Sequence, residues 1–103
     1  MEIPVKKLRN GFAMPAYGFG TWQMGGRERR DTENDDEADI AAMRAAMDRG
    51  VTAFDTAEIY AEGYSETLLG KAIAGRDRAR LLISSKASAA HMRYDDILAA
   101  CEA

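Results

Sequence analysis

Met43-Arg44-Ala45-Ala46-Met47-Asp48-Arg49-Gly50-Val51-Thr52-Ala53-Phe54-Asp55 passes from helical to strand patterning across one glycine. Ile40, Met43 and Met47 recur at three- and four-residue spacing, joined by Ala46, so they share one face of a helix predicted over residues 36–49. Gly50 stands where a helix C-terminus favours the left-handed conformation. Residues 51–55 follow at once as a short β-prone run. The same change repeats downstream. Ser65 is the predicted N-cap of a second helix carrying Leu68, Leu69, Ala72 and Ile73, Gly75 ends it, and residues 81–86 form the next strand. From Tyr94 the pattern turns helical again through Ile97, Leu98 and Cys101.

Toward the N-terminus, residues 5–8 and 12–14 flank Asn10-Gly11. Both central residues of a tight type I′ turn need positive φ, so this dipeptide predicts a β-hairpin. Pro15 breaks the chain, residues 16–20 read as a first buried strand, and the polar residues 25–36 read as a long covering loop. The resulting order is hairpin, β, α, β, α, β, α. Strands alternating with amphipathic helices imply right-handed βαβ units and a parallel sheet. The third helix runs to Glu102-Ala103 without a glycine stop, which predicts a chain cut within a helix.

Bulk properties narrow the classes. With 103 residues, 47% apolar and 30% charged, the chain has the length and composition of one ordinary globular domain. A net charge of −3 with scattered Lys and Arg argues against a nucleic-acid surface. No apolar run approaches the ~20 residues of a membrane span, and the first ten residues lack a signal-peptide core, so cytoplasm is the expected location. Cys101 is the only cysteine, which excludes an internal disulfide and, with a single histidine, a structural zinc site.

The segment Phe54-Asp55-Thr56-Ala57-Glu58-Ile59-Tyr60, followed by Ser84-Ser85-Lys86, carries the chemistry. In parallel α/β folds the loops leaving the C-terminal strand ends form the functional face. Asp55 and Lys86 are predicted at two such ends, and neighbouring strands lie about 4.8 Å apart, so the two side chains come within ion-pair reach. Tyr60 can lean over them from the loop. An ammonium beside a phenol stabilises the phenolate and speeds proton delivery. Each residue alone also has a structural use: Asp55 can cap a turn, Tyr60 can pack its ring, and Lys86 can snorkel to water. The glycines do not spell G-x-G-x-x-G, and no Walker loop or G-x-S-x-G elbow is present.

The wording around these residues resembles the aldo-keto reductase family. The landmarks are Asn10-Gly11 with Met14-Pro15, Gly18-Phe19-Gly20-Thr21-Trp22, Gly50-Val51, Asp55-Thr56-Ala57 with Tyr60, Ser65-Glu66 with Leu69-Gly70, and Ser85-Lys86. The resemblance implies a partial (β/α)8 TIM barrel of α/β class, with the N-terminal hairpin and about three of eight strands present. Residues 1–103 would be the N-terminal part of that barrel domain, and the isolated chain would be inactive. It implies reversible hydride transfer between NADP(H) and an aldehyde, ketone or alcohol. Tyr60 would be the proton donor, Lys86 its activator and Asp55 the holder of the lysine. Gly20, Thr21, Trp22 and Asp55 would lie at the cofactor; no metal is implied. The family's orienting histidine follows a later strand, so His91, five residues after Lys86, is read as a loop or helix-start histidine. The rival expectation is a noncatalytic partial barrel that self-associates or pairs with another chain, such as a C-terminal half-barrel, through its open strand edges.

Overall fold

Five short strands and three helices alternate as the sequence predicts in the computed structural model, which describes residues 2–103. Met1, where the expected domain begins, lies outside the described residues. Strands β1 (Val5–Lys7) and β2 (Ala13–Pro15) pair antiparallel as the N-terminal hairpin. Its turn is not type I′. Only Gly11 has positive φ, at 88°, while Leu8 O accepts from Gly11 N at 2.9 Å and Leu8 N donates to Phe12 O at 2.8 Å. This is the three-residue loop with a left-handed glycine, and Asn10 contributes its side chain instead, Oδ1 accepting from Phe12 N at 3.1 Å.

The remaining strands, β3 (Phe19–Gly20), β4 (Ala53–Asp55) and β5 (Leu82–Ser84), form one parallel sheet in that spatial order. Helix α1 (Asp36–Asp48) connects the first two and α2 (Tyr64–Ile73) the next two. Register sets Gly20 opposite Asp55, and Asp55 opposite Ser84. All three strands are shorter than predicted, and Lys86 lies two residues past β5.

One face of the sheet is covered. Ile40 and Met43 of α1, Leu68, Leu69 and Ala72 of α2, and Phe54 of β4 make the core, with the Phe19 ring packed 5.6 Å from that of Phe54. Burying such side chains contributes ~1.5–3 kcal/mol each. Asp35 caps α1, its carboxylate accepting from Ala38 N at 3.0 Å, and Asp36, Glu37 and Asp39 complement the positive end of the helix. Arg44 of α1 reaches the end of α2, donating to Lys71 O at 3.0 Å and Ala72 O at 3.3 Å, which satisfies carbonyls the helix cannot.

Ser65 is not a cap. Helix α2 starts at Tyr64 behind Gly63, and Ser65 is fully buried with its hydroxyl donating to Met24 O at 2.5 Å. The predicted loop of residues 25–36 does cover the helix starts. Asp39 accepts from Gly25 N at 3.0 Å and Asn34 Nδ2 at 2.7 Å, Tyr64 donates to Asp36 at 2.9 Å, and the Arg30 guanidinium lies 3.3 Å from the Tyr64 ring centre. Helix α3 (Tyr94–Glu102) is helical as predicted but buries no residue: Tyr94, Ile97, Leu98 and Cys101 are exposed. Among the described residues no helix is long and apolar enough to cross a membrane.

Candidate active site

Asp55 occupies the last position of β4, so the pleat turns it away from Phe54 and the core and toward the uncovered face. The adjacent strand delivers Lys86 to the same end. Its ammonium donates to Asp55 Oδ1 and Oδ2, both at 3.0 Å, and to Thr56 O at 2.7 Å. The Tyr60 ring centre lies 5.1 Å from the same nitrogen. Lys86 therefore acts on the phenol by its charge and by a side-chain interaction with the hydroxyl, while its short hydrogen bonds go to the groups that hold it. Partial burial disfavours the Lys86 charge, but Asp55, through hydrogen bonds and proximity, outweighs it with Tyr60 adding, and the ammonium's pKa is raised above its ordinary 10.5.

The residues expected at the cofactor divide into two kinds. Gly20 is exposed, and a side chain there would meet nothing within 4 Å, so the backbone is open beside Asp55. Trp22 is 42% exposed, with the Arg27 guanidinium 5.5 Å from its ring centre. Thr21, by contrast, is fully buried, and both its amide and its hydroxyl donate to Asp55 O at 3.0 Å. Its chemistry is spent on fixing the end of β4. Nearby, Tyr17 is exposed while Phe19 joins the core.

Two residues escaped the sequence reading. Glu58 is bonded to Ser88 N, its Oε2 accepting at 2.6 Å, and to His91, whose Nδ1 lies 2.5 Å from Oε1. The Ser88 amide, more than offsetting partial burial and aided by His91, holds the Glu58 carboxyl below its ordinary 4.5. His91 thus sits in a short 3₁₀ turn, Ala89–His91, engaged by Glu58. Glu62 accepts from Arg30 N at 3.0 Å. Neither could be anticipated from spacing, because both bonds join loops distant in sequence. Among the described residues there is no cluster of three or more metal-ligating side chains.

The sequence matches the aldo/keto reductase family over residues 16–103. The chain belongs to this family. It is 35% identical over 104 residues to methylglyoxal reductase YeaE of Escherichia coli, a match covering 100% of this chain and 34% of that protein. To a putative voltage-gated potassium channel subunit beta of Schizosaccharomyces pombe it is 40% identical over 88 residues, 82% of this chain and 24% of the relative. Among solved structures, the thermostable aldo-keto reductase Tm1743, crystallised with the inhibitor epalrestat, superposes with a TM-score of 0.90 at 42% identity over 95% of this chain and 36% of its own. An aldo-keto reductase from Klebsiella pneumoniae in complex with NADPH gives 0.80 at 37% identity, over 99% and 34% respectively. This aldo-keto reductase chain therefore spans between 24% and 34% of the length of the two curated relatives.

Proposed function

We propose that this chain carries the proton-donating part of an NADP(H)-dependent aldo-keto reductase that interconverts a small aldehyde or ketone and its alcohol, in the cytoplasm. In this reading residues 1–103 are the N-terminal part of the barrel domain, and β3, β4 and β5 are three of its eight strands. One observation carries the reading: Lys86, chelated by Asp55 across β4 and β5, holds its charge 5.1 Å from the Tyr60 ring at the C-terminal end of a parallel sheet.

The open backbone at Gly20, the exposed Trp22 ring and the Asp55 carboxylate offer a flat, partly apolar surface with one hydrogen-bond acceptor, which suits a nicotinamide carboxamide and its ring. Relatives support the choice of cofactor, since the Klebsiella pneumoniae enzymes were crystallised with NADPH and with NADP. When bound, the nicotinamide supplies the hydride. The chain's own residues manage the proton. Tyr60 donates its O–H proton to the carbonyl oxygen as that oxygen gains negative charge, and the electron pair of the broken bond stays on the phenolate oxygen. The Lys86 ammonium stabilises that phenolate, and Asp55 with Thr56 O keeps the ammonium from swinging into water. In the alcohol-oxidising direction the phenolate takes the proton back.

The test uses this chain fused to the remainder of the Klebsiella pneumoniae relative. General-acid catalysis contributes roughly 10²–10⁴-fold, so Tyr60→Phe should lower kcat by that factor while NADPH binding, followed by fluorescence, persists. Undiminished turnover in the Tyr60→Phe fusion would show that another group donates the proton. A second reading has its own support. The exposed Tyr94, Ile97 and Leu98 on α3, and the unpaired outer edges of β3 and β5, suit a noncatalytic module that self-associates. A defined oligomer by light scattering, with no NADPH affinity even in the fusion, would favour it.

A further inference from the structure

Tyr60 is followed by a run of left-handed backbone: Ala61 at φ 49°, Glu62 at φ 58° and Gly63 at φ 92°. For alanine and glutamate this conformation costs roughly 1–2 kcal/mol per residue, so local preference does not maintain it. Local bonding is thin as well, apart from Tyr64 N, which donates to Tyr60 O and Ala61 O. Tyr60 N donates to Ala57 O at 3.2 Å and Glu62 N to Ile59 O at 3.4 Å. The strong restraints come from outside. Ala61, fully buried, donates its amide to Arg27 O at 2.6 Å, and the Glu62 carboxylate accepts from Arg30 N at 3.0 Å. Arg27 and Arg30 belong to the turn after Trp22, closed by a bridge between Gly26 and Arg30.

On the other side of Tyr60 the same device recurs. Glu58 donates its amide to Lys86 O at 2.9 Å, and its carboxylate accepts from Ser88 N at 2.6 Å and meets His91. One carboxylate two residues before the tyrosine and one two residues after it each bind a backbone amide of a flanking loop. One loop carries Trp22 and the other Lys86. Lys86 interacts with the Tyr60 hydroxyl, but its short hydrogen bonds go to Asp55 and Thr56 O. The backbone turn is thus a second restraint on the direction in which the ring points, beside Lys86 itself.

We infer that Glu58 and Glu62 are positioning residues for Tyr60, clipping its left-handed turn to the Lys86 loop and to the Trp22 loop; this rests on the proton-donor reading above. The two clips make the separation of phenol and ammonium depend on both neighbouring loops, so displacement of either loop is felt at the tyrosine.

The test is nuclear magnetic resonance of the 103-residue chain labelled at the tyrosine ring carbons, with Tyr60→Phe identifying the Tyr60 signal among four tyrosines. Coupling is read as the change that Lys86→Met causes in the Tyr60 titration midpoint. That change should shrink at least about twofold in Glu62→Ala and Glu58→Ala backgrounds and return in Glu62→Gln and Glu58→Gln, because a glutamine carbonyl still accepts from an amide. Amide exchange should quicken by about tenfold at Arg30 in Glu62→Ala and at Ser88 in Glu58→Ala, the effect of losing one hydrogen bond to a charged group. Exchange at Phe54 should stay at the parent rate. Unchanged coupling in both alanine variants overturns the inference. So does a general rise in exchange that includes Phe54, which would make the carboxylates merely structural. If Lys86→Met leaves the parent Tyr60 titration unmoved, the proton-donor reading fails instead, and the amide exchange at Arg30 and Ser88 still decides whether the clips hold the turn.

Discussion

Substitutions at Ser65 separate a helix cap from a buried donor, two roles with opposite tolerance. At an N-cap, Asp and Asn are as good as Ser, and only Ala costs about 1 kcal/mol. In the structure Ser65 is fully buried one residue inside α2 and donates its proton to Met24 O at 2.5 Å. Ser65→Ala leaves that carbonyl without its partner, a loss of ~1–3 kcal/mol. Since stability for a chain of this size is of order 5–15 kcal/mol and urea sensitivity about 1 kcal/mol per molar or somewhat more, the urea midpoint should fall by roughly 1–2 M. Ser65→Asp should be much worse. Its ionised carboxylate is acceptor-only, buried and aimed at a carbonyl oxygen, and an uncompensated buried charge costs about 3–5 kcal/mol. A protonated carboxyl can donate as serine does. Its folded pKa would thus lie above the unfolded 3.9 or so, and the Asp variant's stability relative to the parent should be regained as pH falls below that value and lost as pH rises through the folded one. Circular dichroism during urea titration at pH 4 and pH 7 measures both. An Asp variant as stable as the parent at neutral pH would refute the buried-donor assignment and restore the cap.

Thr56 is 2% exposed, and its Oγ1 has no hydrogen-bond partner among the described residues, while its amide donates to Ser84 O at 2.8 Å and its carbonyl accepts from Lys86. Thr56→Val keeps the backbone bonds and removes the orphan hydroxyl, so it should stabilise by ~1 kcal/mol and raise Tm by about 4–8 °C; a lower Tm on thermal denaturation would mean the hydroxyl is satisfied. Because the pKa of Lys86 is raised, its ion pair contributes fully below the unfolded value of 10.5 and is lost as pH rises through the higher folded one. Asp55→Asn should therefore speed acetylation of Lys86 at pH 9, read by mass spectrometry, yet change stability by less than ~1 kcal/mol, since both side chains are about half exposed; an unchanged acetylation rate would show that Asp55 does not govern the ammonium.

The alternation of helices and strands was legible because burial writes it into the sequence. Ile40, Met43, Leu68 and Leu69 are apolar at helical spacing because those positions face the sheet, and all four are buried in the core. Turns and caps were less legible, since several geometries accept the same residues. Asn10-Gly11 satisfies a type I′ turn but also a three-residue loop needing positive φ at one position, and the second occurs. Ser65 looked like a cap because serine caps helices often; the distant carbonyl of Met24, 41 residues earlier, left no trace nearby. Helix α3 shows the limit of periodicity, which reports an apolar face but not whether anything covers it.

Within the site the same division holds. Asp55 and Lys86 were readable together because a parallel pair of strands brings their ends together; the register of β4 and β5 sets Asp55 opposite Ser84, and Lys86 reaches back from two residues beyond it. The resemblance named Thr21 as a residue at the cofactor but not as the fastener of Asp55, for a hydroxyl can serve a ligand or a carbonyl equally well. The turn after Tyr60 was least accessible. Ala61 and Glu62 have no local preference for left-handed backbone, so the carbonyl of Arg27, the amides of Arg30 and Ser88 and the two flanking carboxylates had to be seen in space before the turn made sense. The strand ends fix the lysine through topology, and the tyrosine's place relative to it depends on three loops acting at once. Substitutions in those loops should for that reason move the Tyr60 ring more readily than they alter the Lys86–Asp55 pair itself.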